Sequence, residues 1–314
     1  MSPPDAHNPC PGIAATLPPT SLILCSRNRP EMLLEQVLCI LQGEEVPAEL
    51  VIIDDSDLAS KQLAALVPDR PCEIRYVWNR SRGLGRANNC GVAQARYDLL
   101  VFTQDDVLVS PTWFGTIVRA LLQAGPRALV TGQVRAGEPE TKGGFAPSTI
   151  ADEAGRTYEG RLGRDVVYLQ NAAFFRSGFQ EVGGFDPELG PGTSFPSAED
   201  NDFAFRLLEA GYCIVYEPRA ITYHRAWRSD TDVMELEWNY GRGQGAFYAK
   251  HLSLRDPHML KRFARDAAGH ILRLPVKIVS DRPQMRRSIA YLGGLFTAAA
   301  EWLVRRRRSS ASSI

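Results

Sequence analysis

The stretch Asp98–Ser110, DLLVFTQDDVLVS, decides how the chain is read. An apolar run from Leu99 to Phe102 leads through Thr103 and Gln104 into two adjacent carboxylates, Asp105 and Asp106. Apolar residues resume at Val107. A continuous apolar run of this length suits a strand buried on both faces. Adjacent acids repel, and the end of a buried strand is a costly place for charge. A turn or a helix N-cap is the plain alternative for such a pair. A ligand facing both acids would be the other.

Similar runs lie upstream. SLILCS at Ser21–Ser26, ELVIIDD at Glu49–Asp55 and EIRYVW at Glu73–Trp78 read as strands, while EMLLEQVLCILQ after Pro30 and GRANNCGVAQA read as helices. The alternation predicts an α/β fold with a mostly parallel sheet covered on both faces. Ligands of such sheets bind outside the carboxyl ends of the strands. Both IIDD and VFTQDD put acids there, so the two acidic pairs are expected to share one crevice. GLGRAN at Gly83–Asn88 has two glycines of a dinucleotide fingerprint, but Asn88 stands in place of the third and the unit follows the third strand. The chain has no GxxxxGK[ST] stretch, which excludes a P-loop.

In the second half, AED at Ala198–Asp200 precedes a helix with Phe203, Leu207 and Leu208 at helical spacing. Acids at a helix start favour the macrodipole, and that alone would account for Glu199, Asp200 and Asp202. YHR at Tyr223–Arg225 ends another apolar run, where a lone His is more often capped or exposed than a ligand.

Composition bounds the class. The 314 residues can bury a sizeable core, and 44% hydrophobic with 23% charged content is ordinary for a globular protein. Six cysteines without CxxC spacing (Cys10, Cys25, Cys39, Cys72, Cys90, Cys213) argue against a zinc ribbon or a disulfide framework and suit a reducing cytosol. Residues 1–19 are Pro-rich and lack a signal pattern, so a disordered leader is expected. The net charge of zero hides an asymmetry: His251–Ile314 holds thirteen Lys/Arg against four Asp/Glu, a basic tail on an acidic body. Such a tail suits an anionic partner, a membrane surface or nucleic acid. Ser288–Val304 is largely apolar and runs into Arg305–Arg308. It is marginal for a bilayer span, which takes about 20 apolar residues. It fits an interfacial helix on anionic lipid, or a helix packed on the domain.

Taken in order, LCSRNRP, VIIDDSD, GLGRANNCGVAQARYDLLVFTQDDV, NAAFFR, GGFDPELGPG, AEDNDFAFRLLEAGY and YHR resemble the inverting glycosyltransferases of family 2, over roughly residues 20–250. The resemblance implies a GT-A fold: a mostly parallel nucleotide-binding sheet flanked by helices. Residues 251–314 form a basic helical extension beyond it. It also implies sugar transfer from a nucleotide-sugar donor to a glycan or lipid-linked hydroxyl, with a divalent cation, Mn²⁺ or Mg²⁺. The residues it implicates are Asp106 and His224 for the cation, Arg27, Asp55, Gly83, Asn89 and Asp105 for the donor, Asp200 as catalytic base and Glu199 beside the acceptor. Hard carboxylate oxygens suit either cation, and an imidazole ligand suits manganese better than magnesium. Two departures stand out: Gln104 replaces the first acid of the usual Asp-x-Asp, and Ala87-Asn88-Asn89 lacks a commonly present Arg. The expected location is the cytoplasmic face of the cell membrane, with no nucleic-acid partner. A sugar-nucleotide nucleotidyltransferase is the rival enzyme class, but CSRNRPEML lacks the Gly-rich basic loop such an enzyme needs. An inactive nucleotide-sugar-binding module is the third reading, kept open by Gln104.

Overall fold

A computed structural model describes residues 16–139, 145–225, 228–229, 232–253 and 255–311, with side chains omitted at 278–280 and 307–311. Most of the expected leader, residues 1–15, and the side chains of Arg307 and Arg308 therefore lie outside the described residues.

The first half follows the sequence pattern closely. Strands β1 (Thr20–Ser26), β2 (Glu49–Asp54), β3 (Glu73–Trp78) and β4 (Leu99–Gln104) pair in parallel in the order β3-β2-β1-β4. Every residue of β1 and β2 is buried, as uninterrupted apolar runs require. Helices α1 (Pro30–Leu41), α2 (Lys61–Ala64) and α3 (Leu84–Gln94) fall between them. Pro30 opens α1, where its fixed φ costs nothing. In α3, a Cβ on Gly91 would overlap Ile23 of β1, so the glycine lets helix and strand close up.

Beyond β4 the sheet departs from the expected, mostly parallel form. The remaining elements are β5 (Val107–Val109), α4 (Trp113–Ala124), β6 (Ala128–Ala136), β7 (Arg156–Tyr158), β8 (Ala172–Phe175), α5 (Arg176–Val182), α6 (Glu199–Glu209) and β9 (Cys213–His224). The sheet continues β4-β8-β6-β9-β5, with β7 also on β9. Only the β6–β9 pair is parallel here; β4–β8, β6–β8, β5–β9 and β7–β9 are antiparallel. Strand β9 carries Pro218 in mid-run, which a regular ladder excludes. The register resolves this by jumping from Gly132↔Glu217 to Gln133↔Ile221, so Pro218 falls in a bulge. Asn171 fastens the irregularity, its amide donating to the carbonyls of Gln133 (3.0 Å) and Ala220 (2.8 Å) while Trp113 Nε1 donates to its oxygen at 2.8 Å.

Two apolar layers cover the sheet. Leu33, Val37, Trp113, Ile117 and Leu121 fill one face. Phe102, Phe174, Phe185 and Phe203 stack on the other, with ring centroids 4.5–5.8 Å apart.

The C-terminal part is helical: α7 (Val233–Lys250), α8 (His258–Ile271), α9 (Leu274–Ser280) and α10 (Arg282–Ala311). Pro275 and Pro283 sit within the opening turns of α9 and α10, where proline is tolerated. The glycines of YGRGQGAFYAKHL lie in the middle of α7, which begins at Val233. A Cβ on Gly241 or Gly245 would overlap the backbone of Tyr291 or Leu295, and one on Gly294 would overlap Trp238 O. The two helices are packed backbone to backbone. In α10, Ser288, Leu292, Leu295 and Ala298 are buried, while Ile289, Phe296, Leu303 and Val304 face out. Among the described residues no helix is long and apolar enough to cross a membrane.

Candidate active site

The carboxyl ends of β1, β2 and β4 open into a cavity of about 1040 Å³, closed on the other side by α6, α7, α8 and the loop before the short helical turn Leu169–Asn171. Arg27, Asp55, Gly83, Asp105, Asp106, Glu199, Asp200 and His224 all line it. Asn89, expected to touch the donor, does not. Its amide clamps the backbone of Phe185, donating to the carbonyl at 2.8 Å and accepting from the N–H at 2.9 Å. It fixes a loop.

The acid pair after β4 is held in a turn between two strands, and the two carboxylates point to different partners. Asp105 Oδ2 accepts from Ser26 Oγ at 2.7 Å, and Arg29 Nη1 reaches both Asp105 Oδ1 (3.2 Å) and Asp106 Oδ2 (2.9 Å). Burial and the neighbouring Asp106 charge raise the Asp105 pKa to about 6, against the pull of Arg29 and Ser26. Burial acts on Asp106 the same way, but His224 and Arg29 outweigh it and hold its pKa down at about 2. Asp106 is therefore the acid that stays ionised.

His224 is brought to Asp106 by strand pairing, since Val107 of β5 lies opposite it in β9. Its Nδ1 lies 2.7 Å from Pro147 O, a carbonyl that can only accept. Nδ1 must then carry a hydrogen, so Nε2 is the atom turned toward Asp106 and the one that can take either a second proton or a cation. Nε2 lies 3.8 Å from Asp106 Oδ1, too far for a hydrogen bond, and that buried oxygen has no partner. An imidazole lone pair and an orphaned carboxylate oxygen across a short gap fit a divalent cation, with the carbonyl on Nδ1 orienting the ring. Among the described residues no cluster of three or more metal-ligating side chains exists, so remaining ligands would come from substrate and water.

Asp55 closes the loop before α3, accepting from Arg82 N (3.2 Å), Gly83 N (3.1 Å) and Asn79 Nδ2 (3.3 Å). Gly83 there takes φ +121°, open to glycine alone at no cost. Arg27 is half-exposed, with Asp57 at 3.6 Å.

Across the cavity, Glu199 and Asp200 begin α6. The preceding residue, Ala198, sits at φ +70°, a left-handed conformation that costs a non-glycine residue about 1–2 kcal/mol. It is buried in the same apolar cluster as Phe247 and Tyr248. Glu199 is buried against Gly190, and burial together with the Asp200 charge pushes its pKa up to about 8. Burial raises Asp200 to about 6, helped by Asp165 and opposed by backbone N–H groups, including Asn201 N at 2.8 Å. Asp202 faces elsewhere: fully buried, it takes His251 at 2.7 Å, Lys250 at 2.8 Å and Arg206 at 2.8 Å, which hold its pKa well below the usual range. One acid of this helix start is structural and two face the cavity.

Residues 21–183 match the model of glycosyl transferase family 2. The chain belongs to that family. Family 2 relatives include the glucosyl-dolichyl phosphate glucuronosyltransferase of Haloferax volcanii, 25% identical over 74% of this chain and 76% of the relative, and the succinoglycan biosynthesis protein ExoM of Rhizobium meliloti, 30% identical over 63% of each. Among solved structures, the mannosyltransferase PcManGT from Pyrobaculum calidifontis in complex with GDP-Man and Mn²⁺ superimposes with a TM-score of 0.56 at 16% identity, covering 90% of this chain and 88% of that one. The fold is GT-A, and the protein is a family 2 glycosyltransferase.

Arg29 was not implicated by the sequence. It pairs with acids 76 and 77 residues further on, and its one local signal is its place before Pro30, at a helix start facing the strand ends.

Proposed function

We propose that this glycosyltransferase moves a sugar from a nucleotide-sugar donor to the hydroxyl of a glycan or lipid-linked acceptor, with inversion and with the help of a divalent cation. The observation that carries this is the single cavity shared by Asp55, Asp106, His224 and Asp200.

The donor nucleotide lies against Arg27, the Asp55–Gly83 loop and Asp105. Asp106 Oδ1 and His224 Nε2 would hold Mn²⁺ or Mg²⁺, whose charge stabilises a departing diphosphate. Arg29 neutralises the acid pair. Asp200 takes the proton of the acceptor hydroxyl, which attacks the anomeric carbon from the face opposite the leaving group. A carboxylate with its pKa near 6 is ionised at neutral pH and still basic enough for that work. Glu199, protonated at neutral pH, offers a hydrogen-bond donor to orient the acceptor. The Pyrobaculum calidifontis enzyme, solved with GDP-Man and Mn²⁺, supports the donor and the cation, while the names of the Haloferax volcanii and Rhizobium meliloti relatives support the acceptor class.

The α8–α10 segment exposes the apolar side chains Leu272, Val276 and Val304 in a stretch rich in Lys and Arg, and on that ground we infer that the protein sits peripherally on an anionic membrane on its cytoplasmic side.

The test is thermal stabilisation by a panel of nucleotide sugars with and without Mn²⁺. A match at a hundredfold excess over Kd adds about 2.7 kcal/mol of apparent stability. Asp106→Ala should abolish the Mn²⁺-dependent part, and Asp105→Ala should weaken it less. An Asp106→Ala protein that keeps the full shift refutes the cation assignment.

A further inference from the structure

The far wall of the cavity, built by Gly163–Asp165 and α8, carries charge that neither donor binding nor proton transfer uses. Arg262 is accounted for. It is buried, ion-paired to Asp165, and stacked over Phe247 (5.2 Å) and Tyr248 (5.7 Å). Asp165 is held further by Gln244 at 2.9 Å. Asp266, also in this wall, accepts from Tyr291 Oη at 2.7 Å and Tyr248 Oη at 3.1 Å, with His270 at 3.9 Å. Arg164 and Arg265 differ. Both line the cavity, both are exposed, and among the described residues neither has an acidic partner; Arg164 only rests over the Tyr158 ring at 6.0 Å.

Both arginines stand on the same wall. Gly163 has no side chain, and the Arg265 guanidinium fills the place where a Cβ would begin, beside Arg164 in sequence. The loop is locked to α8 one turn earlier by the Asp165–Arg262 pair. The charge of Asp165 also reaches Asp200, so the wall adjoins the proposed base and is remote in sequence from the strand ends that face the nucleotide.

We propose that Arg164 and Arg265 form a subsite for a phosphate group carried by the acceptor. A carboxylate saturates one guanidinium fork, whereas a phosphate offers three oxygens and up to two charges, enough for two. The inference rests on the transferase reading above, in which the acceptor enters past Asp200. A phosphate held there orients the neighbouring hydroxyl toward the base.

The experiment is isothermal titration of the full chain with glycerol 3-phosphate, farnesyl phosphate and acetate, beside nucleoside diphosphate with Mn²⁺. Both phosphates should bind better than acetate, and less well at high salt. The paired substitutions Arg164→Ala and Arg265→Ala should weaken phosphate binding at least about tenfold and leave nucleotide binding unchanged. Both residues are exposed, so the variant should fold. Tighter binding of farnesyl phosphate assigns a lipid-linked acceptor, and equal binding assigns a soluble or polymeric one. Phosphate affinity that survives the double substitution overturns the subsite. So does phosphate affinity lost in Asp106→Ala, which would put the probe in the donor's place. A wild type that binds phosphates through these arginines but no nucleoside diphosphate keeps the subsite and sinks the transferase reading.

Discussion

Asp200→Asn separates proton transfer from a structural role for the acid at the start of α6. The side chain keeps its shape and its acceptor for Asn201 N, but loses the ability to take a proton. With the Asp200 pKa near 6, about a tenth of the protein would have the base ionised at pH 5 and nearly all at pH 8. Wild-type kcat should therefore fall about tenfold per pH unit below 6 and level off from 7 until Glu199 loses its proton near 8. The asparagine variant should lose this limb and run about 10²–10⁴-fold slower at pH 8. Asp105 titrates in the same window, but beside the donor, so its protonation should appear in the donor KM. Stability moves differently. The folded-state pKa is raised above the unfolded value, so this group's contribution is fully present below about pH 4 and is lost as pH rises through 6. At pH 8 the variant sheds a buried charge but keeps most of the hydrogen bonding, and it should melt no lower than wild type. The assay is release of nucleoside diphosphate from the donor chosen by thermal shift, in parallel with melting curves. A variant that melts lower and turns over within twofold of wild type, or that keeps the acid limb in kcat, refutes the reasoning.

Further outcomes follow from the same geometry. Glu199 has a folded pKa near 8 against an ordinary 4.5, so its stabilising protonated state is lost as pH rises through 8; Glu199→Gln should gain on wild type in melting temperature between pH 5 and 9, and parallel curves would remove the buried-acid reading. Gly245→Ala forces a methyl group into Leu295 and should cost about 1–3 kcal/mol in chemical denaturation, with an unchanged midpoint counting against the close helix packing. Leu272→Ser with Val304→Ser should reduce co-sedimentation with anionic vesicles without lowering the melting point, because both side chains are exposed; undiminished binding would move the lipid contact elsewhere.

Much of the first half was legible because its information is local. Uninterrupted apolar runs marked β1, β2 and β4 to within a residue, and acids at their ends marked the crevice. The mixed second half was not legible, because β8 inserts between β4 and β6 through long-range pairing that no local pattern encodes. Strand β9 was legible only at its end, the run closing at YHR, since the bulge against β6 is what lets it continue across Pro218. The glycines of α7 suggest a break in the helix, yet it runs unbroken from Val233 because they are the points where α10 and Ser197 approach its backbone. Eight of the residues implicated by resemblance line one cavity, while Asn89 turned to the backbone of Phe185. An Asn on a helix gives no sign of which way it will point. Arg29, Arg164 and Arg265 share the same difficulty: an arginine becomes informative only once its partners, or their absence, are known.

The helix pair α7–α10 has a consequence for how this protein can vary. Gly241 and Gly245 touch α10, while Gly243, between them, touches Ser197 just before the αL residue Ala198 and the proposed base Asp200. Even one methyl group at any of the three overlaps its neighbour, so substitution has no gradual path there. Change must come as a joint move, one helix shifting as the other does, and the shift would reach the start of α6, where Asp200 sits. Random libraries that diversify α10 for a new surface would therefore act on the proposed base too, through a helix that gives the cavity only Tyr291.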